Sequence, residues 1–171
     1  MSMLPNSFFA RDTRKVAQEL LGKFLVRKIG RHIVEGMITE TEAYHGWRDT
    51  ASHGHRGKTK RTEPMFADPG TIYVYFIYGV YHCLNISTVA KDFPGAVLIR
   101  GTNVVTGPGR LTRHFHIDRA LTGAKVGRTS GLWIEDREVP ARFRDIKRTR
   151  RVGVEYAGRA REWKWRFVLT N

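Results

Sequence analysis

The sequence contains a single cysteine, Cys83, and no Cys-x-x-Cys pair. An internal disulfide is therefore excluded, and a cysteine-based structural zinc site has no ligands to build on. A reducing interior compartment suits such a chain. No apolar run approaches the ~20 residues that span a bilayer as a helix. The opening Met1-Ser2-Met3-Leu4-Pro5-Asn6 lacks the basic stretch and apolar core of a secretory signal. The expectation is an intracellular chain with no membrane role, in the cytoplasm or nucleoid of a bacterium or archaeon or the nucleus of a eukaryote. Also missing are a P-loop, a dinucleotide-binding glycine fingerprint and a Gly-x-Ser-x-Gly elbow, so ATP use and acyl-serine chemistry lose their usual marks. Acidic residues are scarce: 16 Asp and Glu stand against 30 Lys and Arg, a formal net charge of +14.

What is present describes an ordinary globular chain with an unusual charge. Its 171 residues, 41% hydrophobic and 27% charged, suffice for one sizeable core and argue against disorder. No internal repeat or composition break divides them, so residues 1–171 are expected to form a single domain. A pI near 10.5 attracts polyanions over long range, and nucleic acid is the leading partner class. A basic surface kept for solubility, or one facing an anionic membrane, is the alternative.

Asp12 to Gly22 reads as a helix, with Asp12 or Thr13 as cap, Val16, Ala17, Leu20 and Leu21 as its apolar stripe and Gly22 as its stop. Phe24–Val26 and Ile33–Tyr44 read as a hairpin turning around Gly30, and Thr71–Tyr78 and Tyr81–Thr88 as a second pair turning at Gly79. Ala96–Arg100, Leu132–Ile134 and Trp163–Phe167 supply further strands. Gly107-Pro108-Gly109-Arg110 should launch a short helix, with Asp118 capping the next turn. The polar stretch from His45 to Asp68 is far longer than a tight connection, and a functional role is favoured for it. The fold class expected is α+β, with a curved antiparallel, barrel-like sheet and a few flanking helices.

Three places carry candidate chemistry. In an extended Thr39-Glu40-Thr41-Glu42-Ala43-Tyr44, the side chains of Glu40, Glu42 and Tyr44 share one face. A partly desolvated carboxylate there can accept a proton from water, and the ring beside it can support a flat substrate. Residues 71–82 hold four of the six tyrosines. Tyr73 is assigned to the core and Tyr78, at the turn, to the surface, where aromatic rings beside basic residues can stack on unpaired bases. Arg100 closes an otherwise apolar Val97-Leu98-Ile99 run, so a carboxylate partner is implied. His45, His53 and His55 lack the spacing of a zinc-protease helix, and no metal is expected. A metal-dependent nuclease built on these histidines is a distant alternative.

Glu-Thr-Glu-Ala-Tyr at 40–44, Ser52-His53, the Pro69–Gly79 block, Leu84-Asn85-Ile86-Ser87, Val97–Arg100, Gly107-Pro108-Gly109 and Arg151-Val152-Gly153-Val154 together resemble the alkyladenine (3-methyladenine) DNA glycosylase family. The resemblance runs in order from about Ala10 to Phe167. It implies that Glu42 is the general base that deprotonates the attacking water and that Arg100 helps to hold that water. It makes Tyr44, His53 and Tyr75 the walls around a flipped base, Tyr78 the wedge left in the duplex, and Asn85 the side chain that discourages normal guanine. Glu40 matches no catalytic role. No lysine sits in the matched blocks, so a Schiff-base lyase step is not expected, and neither metal nor organic cofactor is implied. The partner implied is double-stranded DNA with damaged purines, bound by a monomer in a compact catalytic domain. Arg110 and the Arg142 to Arg151 run, notably Arg148 and Arg150, are the backbone-contact candidates. The rival reading is a non-catalytic basic domain that stacks on nucleic acid.

Overall fold

The computed structural model describes residues 2–138 and 145–170, so Arg142 and Arg144 of the basic run lie outside the described residues. Nine strands form one antiparallel sheet: β1 (Ser2–Met3), β2 (Phe24–Ile29), β3 (His32–His45), β4 (Ile72–Ile77), β5 (Tyr81–Ser87), β6 (Gly95–Thr102), β7 (Leu132–Asp136), β8 (Asp145–Thr149) and β9 (Arg166–Thr170). The order β1-β7-β2-β3-β6-β5-β4 has two free ends, and β9 joins β3 to β8. The α+β class is as expected, but the sheet does not close into a barrel. Three helices accompany it: α1 (Asn6–Phe9), α2 (Thr13–Glu19) and α3 (Pro108–His114).

Side-chain alternation explains why β3 and β6 build both the core and a second, polar face. Thr41 and Ala43 are fully buried on the α2 side, where the Thr41 hydroxyl donates to the Ala17 carbonyl at 2.7 Å. Asp12 caps α2 by accepting from the Arg14 and Lys15 amides. Val97 and Ile99 of β6 are buried in the same core as Val16, Ala17 and Leu20. Burying each such aliphatic side chain is worth roughly 1.5–3 kcal/mol. A one-residue slip would turn all of them outward, so the core fixes the register. Glu42, Tyr44, Leu98 and Arg100 are thereby committed to the opposite face.

Two expectations need correction. Trp163–Phe167 is not one strand: a 3-10 turn at Gly158–Glu162 precedes it, β9 begins only at Arg166, and the Trp163 and Trp165 rings pack with centroids 4.4 Å apart instead of alternating. The Trp163 amide donates to the Ala160 carbonyl at 3.2 Å and the Trp165 amide to the Trp163 carbonyl at 2.9 Å, tight turns that take the place of extended backbone. Arg100 is not at a strand end either, because β6 continues to Thr102. It is the extra residue between the pairs Glu40↔Gly101 and Thr41↔Ile99, a bulge matched by a second one at Thr39 on β3. Bulges of this kind re-aim a side chain.

Candidate active site

On the face opposite α2 a cavity of about 570 Å³ opens between β3, β4, β5 and β6. Tyr44, His53, Tyr75, Tyr78, Asn85 and Arg100, all singled out in the sequence, line it. Glu42 lies behind this lining with no exposure. Its Oε2 accepts from the Tyr44 hydroxyl at 2.7 Å, and its Oε1 accepts from the Val152 amide at 2.8 Å. Burial pushes its carboxyl above the usual range, against the pull of Arg100, the Val152 amide, Tyr44 and Arg151. Each oxygen keeps a further lone pair, so a water admitted beside Tyr44 would find a proton acceptor there.

The aromatic residues do not surround the cavity equally. His53 and Tyr75 already pack on each other edge-to-face, with centroids 4.6 Å apart, leaving no room for a third ring between them. They make one wall, and Tyr44 belongs to another. Burial, reinforced by the nearby Arg61, lowers the His53 pKa to about 4, so the imidazole is neutral at neutral pH. The loop bearing it is pressed close: a Cβ on Gly54 would meet the Pro94 Cβ at 2.6 Å. Only glycine permits this approach, which seats His53 at the cavity. Asn85 is buried, and its amide nitrogen makes only long contacts, 3.4 Å to the Tyr73 carbonyl and 3.3 Å to that of Cys83.

Tyr78 stands 86% exposed at the cavity mouth. With φ of 52° at Tyr78 and 64° at Gly79, and the Val80 amide donating to the Ile77 carbonyl at 3.1 Å, the tip of the β4–β5 hairpin has the signs of a type I′ turn. A bulky residue at positive φ is uncommon outside functional sites.

Sequence reasoning missed several contributors. Tyr73, assigned to the core, is buried yet also lines the cavity, as does Cys83, whose thiol burial pushes up to about 11. Arg151 was grouped with a solvated basic run, but its side chain is fully buried. Its guanidinium grips Asp49 through two bonds of 2.6 and 2.8 Å and donates to the Ala43 carbonyl at 2.9 Å. It also lies 4.7 Å from the centre of the Tyr44 ring. The only sequence signal was the Arg-Val-Gly-Val block, which carries no charge pattern of its own.

The backbone-contact candidates fall in two elements, Arg110 in α3 and Arg148, with Arg150 just beyond it, at the end of β8. Arg110 is exposed at the start of α3, Arg148 donates to the Gln18 side chain at 2.7 Å, and Arg150 pairs with Glu162. A second cavity, about 750 Å³, adjoins the first and shares His53, Arg61 and Tyr156 with it. It is lined by Arg48, Arg56, Arg61 and Arg159 and by no acidic residue. Among the described residues these four arginines form no ion pair, whereas Arg11, Arg14, Arg137 and Arg166 each face a carboxylate.

Comparison with known proteins gives the chain a family. A family model described as "Methylpurine-DNA glycosylase (MPG)" matches residues 7–107 and 101–171. A protein of Clostridium perfringens strain 13 named "Putative 3-methyladenine DNA glycosylase" is 40% identical over 196 residues, covering 98% of this chain and 96% of its own. Proteins of the same name from Anaeromyxobacter sp. (45% identical, 97% and 88% covered) and the archaeon Methanocella arvoryzae (41% identical, 100% and 94% covered) agree. The chain therefore belongs to the methylpurine-DNA glycosylase family, DNA-repair hydrolases that act on alkylated bases.

Proposed function

We propose that this glycosylase draws an alkylated purine out of duplex DNA into the cavity, hydrolyses its N-glycosidic bond and leaves an abasic site. The observation that carries the reading is a buried, proton-hungry carboxylate, Glu42, beside Arg100 at the foot of an aromatic cavity. A base inside the stack is out of reach, and extruding it costs a few kcal/mol, least for a damaged base. The extruded ring stacks between Tyr44 and the His53–Tyr75 wall, while Tyr78 fills the gap in the duplex. Stacking favours a cationic alkylated ring, and a neutral His53 adds no opposing charge.

In the chemical step Glu42 takes a proton from water, the water oxygen bonds to the anomeric carbon, and the glycosidic pair leaves with the base. In an already cationic purine that pair neutralises the ring, so no general acid is required. Arg100 orients the water, and Asn85 crowds the position a normal guanine amino group would take. The test is release of free base from duplexes bearing 3-methyladenine, 7-methylguanine, hypoxanthine or ethenoadenine. Binding without release of any base sinks the proposal. In the same assay Tyr78→Ala should lose activity on duplex and lose little on the same lesion in a single strand.

The groove of Arg48, Arg56, Arg61 and Arg159 is the phosphate track of this reading, since it continues the cavity and, among the described residues, none of its four cations pairs with a carboxylate. Replacing Arg48, Arg56 and Arg159 together by Ala should weaken duplex binding and flatten its salt dependence. A loss of about three phosphate contacts lowers the log–log slope by roughly 2.7, taking about 0.9 per contact. An unchanged slope would place the grip elsewhere.

A further inference from the structure

Glu40 has no part in the hydrolysis described above, yet it is held by two arginines beside the site. Its Oε1 accepts from Arg100 Nε at 2.7 Å and from Arg166 Nε at 2.7 Å. The same Arg100 Nε is 3.6 Å from Glu42 Oε1, beyond hydrogen-bond reach. The bulge that makes Arg100 the extra residue of β6 sets it opposite Glu40. We propose that Glu40, itself anchored by Arg166, is a positioning residue that holds the Arg100 guanidinium off the Glu42 carboxylate and keeps it aimed at the cavity.

Charge disposition gives the reason such a device is required. Glu42 has no exposure and its hydrogen bonds come from neutral groups, Tyr44 and the Val152 amide, so an arginine free to move would be drawn onto it. A direct contact there would occupy the lone pair that water must use and would make the carboxylate a poorer base. Arg151 cannot play that part, because Asp49 already holds it in two bonds. Glu40 is well placed to compete: burial opposes its ionisation, but the guanidiniums of Arg166 and Arg100 outweigh burial and keep its carboxyl below the usual range. The groups facing Glu42 are Tyr44 on its own strand, Arg100 on β6, Tyr75 on β4, Cys83 on β5 and Arg166 across from it on β9. Arg151 and the Val152 amide complete the set from the segment after β8. Of these, Arg100 alone is a cation with a choice between two carboxylates.

This inference rests on Glu42 as the base, and a double-mutant cycle separates the two claims. Single-turnover base release is measured against pH for Glu40→Gln, Arg100→Gln and the double variant. Glu40→Gln should lower the high-pH plateau about tenfold and move the acid limb to lower pH by about half a unit or more. If Glu40 acts through Arg100, the double variant should fall no further than Arg100→Gln alone. Losses that multiply, or an acid limb that stays in place, overturn the proposal. Should Glu40→Gln not fold, Arg166→Gln supplies the second reading: it removes the anchor of Glu40, so the acid limb should move to lower pH, in the same direction and by less. An acid limb that stays in place or moves to higher pH would overturn the clamp. If Glu42→Gln keeps full activity the base assignment fails. If Glu42→Gln is inactive while the cycle is multiplicative, only the role of Glu40 fails.

Discussion

Replacing Glu42 by Gln should reduce base release from alkylated duplex by about 10²–10⁴-fold, the usual contribution of a general acid or base. DNA affinity should stay within a few-fold, because Glu42 lies behind the cavity lining and its loss removes no surface charge. Stability should move the other way from activity. Burial holds the folded Glu42 carboxyl above the usual carboxylate range. A group shifted upward supports the fold at low pH, and that support is lost as pH rises through the folded pKa. At neutral pH the carboxylate is a burden on the fold, and a neutral amide of the same shape relieves it. Gln can still accept from Val152 or Tyr44, so a melting temperature equal to or above that of the parent is expected. A variant that is both inactive and strongly destabilised would mean that Glu42 is structural. Thermal melts read beside single-turnover assays decide between these outcomes.

The largest expected effect on stability lies elsewhere, at Arg151→Met. Removing one partner of a buried ion pair leaves the other charged and unpaired, which costs about 3–5 kcal/mol. For a chain of this size each kcal/mol lowers Tm by about 2–4 °C, so a drop of roughly 6–20 °C is expected. Asp49 would be the stranded charge; its side chain has no exposure, although it also accepts from the His45 and Ala51 amides. Activity should fall beyond what unfolding explains, even when assayed well below the new Tm. Arg151 backs the Tyr44 ring, and the residue after it supplies the amide that steadies Glu42. Asp49→Asn in the same background should recover part of the stability, since it removes the stranded charge. A melt shifted by only a degree or two would show that the pair contributes little.

The sequence disclosed those parts of the molecule that depend on local pattern. Alternation along Thr39–Tyr44 separated Glu42 and Tyr44 from Thr41 and Ala43, and the structure keeps that division. Cap chemistry placed Asp12 at the head of α2. A lone arginine on an apolar strand implied a carboxylate, and Arg100 has Glu40 within 2.7 Å. What was not readable depends on contacts between distant segments. A buried arginine and a solvated one look alike in a basic run, and only the 102-residue separation between Arg151 and Asp49 closing in space tells them apart. The aromatic–basic alternation of Trp163–Phe167 suggested a strand, but the first three residues spend their backbone bonds on turns, the Trp163 amide on the Ala160 carbonyl and the Trp165 amide on that of Trp163. The arginine groove draws residues from the 48–61 and 156–163 stretches, which are far apart in the chain and meet only in the fold.

The paired irregularities at Thr39 and Arg100 have one more consequence. Each adds a residue to its own strand, and the two offsets cancel: Ile38↔Thr102 before them and Thr41↔Ile99 after them belong to the same register. The sheet thus contains an inserted element that is sealed off from what surrounds it. Arg100 departs from regular pairing without disturbing the buried Val97 and Ile99, and Glu40 departs with it without disturbing Thr41 or Ala43. The polar apparatus can therefore change, residue by residue, while the hydrophobic scaffold carries on unaltered, and a single pair of strands serves as both support and tool.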